Sequence, residues 1–167
     1  MEVEKLLPQQ KAFSFVDIGS GLGGLILYLA GRFESASFIG VEIAPLPWLA
    51  SYLRVQFKNG ANASNAQFLR SNYENLDFSK FDVVFAYLSP AAMSALWQKA
   101  KKEMRPGSIL ISYEFPILGI EPDLSINVLN NAVTPAANKP AFGAQPTPDV
   151  ALENMSTNVR KLHIWYL

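Results

Sequence analysis

The segment Val16-Asp17-Ile18-Gly19-Ser20-Gly21-Leu22-Gly23-Gly24 limits the possible folds of this chain more than any other. A β-rich run, Ala12 to Ile18, stops at glycine. An apolar run of helix formers, Leu22 to Phe33, follows it directly. Strand, glycine loop and helix in that order make the first half of a βαβ unit. Glycines let the backbone turn sharply and come close to a ligand. The unpaired N–H groups that open the helix favour an anionic or carboxylate-bearing ligand there.

The same alternation continues. Ser37 to Glu42 reads as a second strand, and Pro47 suits the first turn of a helix that ends near Asn59-Gly60. Ala66 to Leu69 is a short third strand. Phe81 to Tyr87 is a nearly unbroken apolar run, as expected of a central parallel strand covered on both faces. Ser89-Pro90 opens a helix to about Met104, and Ser108 to Tyr113 is the fifth strand. Then the rhythm breaks. Asp123 to Leu129 reads as a strand, Asn130 to Asp149 as a long flexible loop, and Lys161 to Leu167 as a closing aromatic strand. Residues 1–11 read as polar and peripheral. One α/β domain spanning 1–167 is expected, with an open, mostly parallel sheet and helices on both faces.

Bulk properties narrow the function. Half the residues are hydrophobic and 17% are charged, which excludes an intrinsically disordered chain. Lys plus Arg equals Asp plus Glu at 14 each, so no basic footprint for nucleic acid is advertised. There is no cysteine, which rules out disulfides, thiolate catalysis and Cys-based zinc sites. No cluster of acids suggests a metal, and the apolar run Leu22 to Ala30 is too short to cross a bilayer. A cytoplasmic location is expected, with membrane association as the alternative.

Gly19, Gly21 and Gly24 satisfy the dinucleotide pattern G-x-G-x-x-G, so a nicotinamide cofactor competes as ligand. Asp17 separates the two cases. A carboxylate two residues before the first glycine repels a pyrophosphate, whereas it attracts the ammonium and sulfonium of S-adenosylmethionine (SAM). Glu42, at the end of the second strand, lies where a carboxylate can accept both ribose hydroxyls of either cofactor. The run Asp17-x-Gly19-x-Gly21-x-Gly23 resembles motif I of the SAM-dependent methyltransferases. That resemblance implies a seven-stranded Rossmann-like sheet of order 3-2-1-4-5-7-6, its last strand antiparallel. It also implies that Asp17, Gly19, Ser20, Gly21 and Gly23 surround the cofactor, with Glu42 and Ile43 beside them. After the third strand, Arg70-Ser71-Asn72-Tyr73 puts Asn72 where the family carries an acid for the adenine amine. An Asn carbonyl still accepts there. Tyr73 reads equally as an adenine-packing ring or as core.

Further segments extend the likeness. Val41-Glu42-Ile43-Ala44-Pro45-Leu46-Pro47-Trp48-Leu49, Phe68 to Tyr73, Phe81 to Leu88 and Lys102 to Ser108 look like the small protein-lysine methyltransferases related to the enzyme of the ATP synthase c-subunit. The chain departs from them at Leu22 and Asn72, where that group carries Asp. The subgroup resemblance implies a protein lysine as acceptor, on a partner that is membrane-associated. Candidates near it are Tyr87 and Ser89 for catalysis and Pro90, Glu114 and Phe115 for substrate. Ser89 reads equally as a helix cap. Tyr87-Leu88-Ser89-Pro90 lacks the Asp/Asn-Pro-Pro-aromatic pattern of DNA amino-methylating enzymes. Trp48 reads as helix-face core, and His163, the only histidine, as structural. The rival functions are a small-molecule or RNA methyltransferase on the same fold, and a non-catalytic SAM-binding protein.

Overall fold

The computed structural model describes residues 2–9, 12–57, 65–128, 133–135 and 160–167. Its elements are α1 (Glu2–Leu6), β1 (Ser14–Ile18), α2 (Gly24–Ala30), β2 (Ser37–Glu42), α3 (Pro45–Phe57), β3 (Ala66–Arg70), β4 (Val83–Ala86), α4 (Pro90–Glu103), β5 (Ile109–Tyr113), β6 (Leu124–Asn127), β7 (Val133–Pro135) and β8 (Lys161–Tyr166). One sheet holds every strand in the order β3-β2-β1-β4-β5-β8-β6-β7. Strands β3 to β5 run parallel, and β8 enters antiparallel between β5 and β6. The first seven places of that order are the expected 3-2-1-4-5-7-6, with β8 as the seventh strand of the pattern.

The side-chain period of two explains how the sheet divides its core. Phe15, Val83, Phe85 and Ile111 face a cluster with α1 and α2, where Phe38, Ile26 and Leu29 are buried. Val16, Ile18, Val84, Ala86 and Leu110 face the other side, against Met93, Leu96 and Ala100 of α4. Asp17 sits between Val16 and Ile18, so its side chain falls on the α1 and α2 face.

Several expectations need correction. The N-terminal residues are not peripheral: Val3 of α1 and Leu7 just after it are buried in the core. Tyr28 and Arg32 of the α2 region hold Glu4 at 2.8 and 2.9 Å. Helix α2 is shorter than the Leu22–Phe33 run, because Gly23 at φ 74° starts it late and Gly31 ends it. An eighth strand, β7, lies within the segment read as a loop, pairing antiparallel with β6; the rest of 130–149 lies outside the described residues, as does the expected helix end at Asn59-Gly60.

Candidate cofactor and acceptor site

The carboxyl ends of β1, β2, β3 and β4 meet at the glycine loop, where open α/β sheets bind ligands. The loop is held to β2 by its backbone: the Gly19 and Ser20 N–H groups donate to the Val41 carbonyl at 2.9 and 3.1 Å. Glu42 takes the next tie, accepting from Gly21 N at 3.0 Å and from Ala44 N at 2.9 Å. Each oxygen of that carboxylate keeps a lone pair for a hydroxyl donor.

Gly19 has a steric reason for its identity. Its φ is +78°, and a Cβ there would lie 2.9 Å from the Tyr87 carbonyl oxygen. Gly23 serves packing instead. A Cβ on it would meet the Phe68 ring at 2.2 Å, and one on Gly40 would meet the same ring at 2.4 Å. Gly23 therefore seats Phe68 beneath the start of α2 and lines neither cavity described below.

Two cavities share Gly19 and Tyr87 in their linings. One, about 380 Å³, is lined by Glu42, Ile43, Asn72, Tyr73 and Ser89 among others. Ile43 is 65% exposed, an apolar side chain left free at the mouth of this cleft. Its shape and lining suit a nucleoside, with Glu42 for the sugar and Ile43 and Tyr73 for the base. Asn72 takes a second task here: its Oδ1 accepts from Glu74 N at 3.2 Å, and its Nδ2 donates to the Glu74 carboxylate. It thus caps a short 3₁₀ turn, Tyr73–Asn75, and one lone pair of Oδ1 remains.

The second cavity, about 300 Å³, is lined by Glu2, Val3, Asp17, Phe85, Tyr87 and Tyr113 among others. Asp17 is 3% exposed. Its carboxylate has no hydrogen-bond donor among the described residues. Burial pushes the Asp17 carboxyl up to about 7, and the negative charge of Glu42 adds to the rise. A buried carboxylate without a donor, in a cavity wall, is an incomplete arrangement that a cationic ligand completes. The hydroxyl of Ser20 is buried in the same loop and also lacks a partner among the described residues. These groups fit SAM, whose methionine end carries an ammonium beside the sulfonium.

Beyond Tyr87 the site turns aromatic. The Tyr87 ring stacks on Phe115, centroids 6.4 Å apart, and meets the edge of Tyr113 at 5.2 Å. Its hydroxyl donates to Glu114 at 3.2 Å. That bond, and then the Glu114 charge, holds the phenol above its usual range, so it stays protonated at neutral pH. Ser89 occupies the N-cap position of α4 but its side chain makes no capping bond. Pro90 is the first residue of α4, is exposed, and lines neither cavity. Trp48 packs partly buried against the core, its indole N–H on the Phe68 carbonyl. His163 pairs with the Ser125 hydroxyl at 3.1 Å on β8 and β6, away from both cavities. Among the described residues no group of acids, His or Cys is arranged for a metal, and no helix is long and apolar enough to cross a membrane.

Glu2, Val3 and Tyr113 were not anticipated as lining residues. The only signal in the sequence was the spacing of Val3 and Leu7, one helical face in a segment too short to read with profit.

The model of the ANTKMT methyltransferase domain matches residues 17–124, beginning at the buried carboxylate. A protein-lysine N-methyltransferase of Saccharolobus islandicus (strain REY15A) is 31% identical over 112 residues, which are 67% of this chain and 68% of the relative. Among solved structures, an RNA methyltransferase from Salinibacter ruber in complex with S-adenosyl-L-homocysteine superposes at TM-score 0.66 with 20% identity, covering 92% of this chain and 80% of the other. PKMT2 from Rickettsia typhi in complex with AdoHcy superposes at TM-score 0.53 with 19% identity, over 74% of this chain and 22% of its own. The two structures establish the fold. With the family match over residues 17–124 and that degree of identity to a relative, the chain belongs to the ANTKMT methyltransferase family and is a SAM-dependent methyltransferase.

Proposed function

We propose that this enzyme methylates the side-chain amine of a protein lysine, on a partner that is membrane-associated. The observation that carries it is the wall beside the glycine loop: Phe85, Tyr87 and Tyr113 form an apolar and aromatic surface, and Glu114 is bonded to the Tyr87 hydroxyl at its edge. Aromatic rings suit the alkyl stem of lysine, and a carboxylate suits its ammonium. The named activity of the Saccharolobus islandicus relative supports the same choice. Exposed Leu46, Leu53 and Phe57 on α3 suit an apolar partner surface. A formal charge of zero disfavours a nucleic-acid backbone as the docking partner.

When bound, SAM supplies a methyl group on a sulfonium. In the proposed arrangement Asp17 and the loop of Gly19, Ser20 and Gly21 hold its methionine end, with Glu42 on the ribose. Ile43, Asn72 and Tyr73 take the adenine. The chain's remaining work is positioning and proton handling. A lysine attacks only through a neutral amine, so its ammonium must lose a proton. Tyr87 stays protonated and is therefore a donor and wall rather than a base. Glu114 retains acceptor capacity beyond the Tyr87 bond, so it draws the ammonium in; the proton then leaves to Glu114 or to water at the open mouth. Ser89, on the opposite side of the shared Tyr87, orients polar groups in the cleft. Phe115 backs the Tyr87 ring, and Pro90 starts the helix that follows.

The deciding experiment incubates the protein with labelled SAM and a lysate that includes membranes, followed by mass spectrometry. Label on lysine side chains is expected. Label confined to RNA or to a metabolite overturns the lysine assignment. Release of no S-adenosylhomocysteine with any fraction favours a binding protein without turnover.

A further inference from the structure

The matched family segment begins at Asp17, yet two residues before it line the cavity that Asp17 closes: Glu2 and Val3 of α1. Helix α1 is fixed in place. Val3 and Leu7 are buried in the core, and Glu4 is held by Tyr28 and Arg32. Val3 closes the cavity with an apolar surface, while Glu2 brings a carboxylate to the same wall. The Glu2 side chain is only 13% exposed. Its solvent side is covered by Lys5, which pairs with it at 2.9 Å and is itself 65% exposed. Of the two acidic residues that line the cavity, Asp17 at 3% exposed is the more deeply buried and Glu2 the more accessible. Phe85, Tyr87 and Tyr113 line the same cavity, and among the described residues no lysine or arginine does.

We propose that Glu2 is a specificity-determining residue for the methyl acceptor: it selects a cationic amine at the mouth of the cavity between α1 and the Tyr87–Tyr113 pair. This rests on the lysine assignment above and adds a determinant to it from outside the family segment. Asp17 serves the cofactor because it is the deeper group, next to the glycine loop. Glu2 serves the acceptor because a group arriving from solvent meets the more accessible carboxylate first. An incoming ammonium takes over from Lys5, whose exposed side chain swings into water at little cost.

The test uses the full-length protein and a short capped peptide, Ac-Ala-Lys-Ala-amide, as acceptor. Glu2→Gln and Glu2→Lys are compared with the parent for peptide KM, kcat, SAM affinity by calorimetry, and melting temperature. For Glu2→Gln the peptide KM rises roughly 3- to 10-fold with kcat and SAM affinity within about twofold. Glu2→Lys raises KM further, and Glu2→Asp restores most of the loss. Unchanged KM in both charge variants, with the peptide still methylated, overturns the role of Glu2 and leaves the lysine assignment standing. A fall in SAM affinity matching the KM change also overturns it, since Glu2 then serves the cofactor. A parent protein that binds SAM yet methylates neither this peptide nor any lysine in lysate removes both.

Discussion

Asp17, one residue before the end of β1, and Glu42, the last residue of the adjacent β2, treat their charges differently. Glu42 has backbone donors from Gly21 and Ala44, whereas Asp17 has none among the described residues and is driven up to about 7 by burial and by Glu42. The unfolded chain releases that proton near the ordinary carboxyl value of about 4. Between roughly pH 4 and pH 7 the folded state binds more protons than the unfolded state, so this group's contribution to stability is lost as pH rises through about 7. A cationic ligand favours the ionised form. SAM affinity should therefore rise from pH 6 to pH 8, with uptake of ligand releasing a proton below about 7. Calorimetry in buffers of different ionisation enthalpy measures both effects.

Asp17→Asn should move two properties in opposite directions. Loss of the charge weakens SAM binding by about 1.5–3 kcal/mol. The same change removes a buried negative charge beside Glu42, so the ligand-free protein at pH 8 should melt higher, not lower. Its SAM affinity should lose the pH dependence. A variant that binds SAM as well as the parent at pH 8 would place the cofactor's cationic end elsewhere.

Gly19 and Gly21 of the loop predict different losses. Gly19→Ala puts a Cβ 2.9 Å from the backbone carbonyl of Tyr87, a residue that lines both cavities, in addition to a strained φ of +78°. Backbone cannot yield as a flexible side chain does, so both stability and SAM affinity should fall. Gly21 has φ +53° with open space around its missing Cβ. Gly21→Ala should cost about 1 kcal/mol of stability from the left-handed backbone alone and change SAM affinity less. Thermal melts with and without SAM separate the two.

Phe68 gives the corresponding packing prediction. Its ring occupies the space that Gly23 and Gly40 leave open, and it is buried. Phe68→Ala should cost about 3–5 kcal/mol, as large aromatic truncations do, and Gly40→Ala should be severe for the reciprocal reason. Chemical denaturation measures both.

The glycine loop, the strands that flank it and Glu42 were legible because glycine conformation and hydrophobic runs are local properties. The three roles of glycine were not separable there. Gly19 faces Tyr87 and Gly23 faces Phe68, and both partners lie far along the chain, Tyr87 just after β4 and Phe68 in β3. Asn72 was placed at the cleft by position, but its capping bond to Glu74 depends on the turn that β3 feeds. Helix α1 was missed because it is five residues long and Val3 alone of them is buried, too few positions to establish a period. Strand β7 hid in a segment of Asn, Ala, Pro and Thr, where pairing with β6 overrides weak local preference. The backbone of Glu114 was beyond reach, since it is set by the end of the β5–β8 pairing.

Glu114 has φ +75°, the one positive value on a non-glycine among the described residues. Its N–H donates to the Lys161 carbonyl at 2.7 Å just past the last paired residues of β5 and β8. A left-handed backbone costs a straight-chain residue about 1–2 kcal/mol, and glycine would avoid it. Keeping a glutamate there is understandable if the carboxylate has a task, which the bond from Tyr87 and the proposed amine supply. Glu114→Gly relieves the backbone but loosens the unfolded chain by a similar amount, so stability should stay within about 1 kcal/mol of the parent. Methyl transfer to a lysine peptide should fall at least tenfold at pH 7, by analogy with loss of one proton-handling group. Glu114→Gln separates charge from backbone, keeping the strain and the bond to Tyr87. If it transfers methyl groups as fast as the parent at pH 7, the carboxylate does not attract the amine, and the strained backbone serves the sheet edge alone.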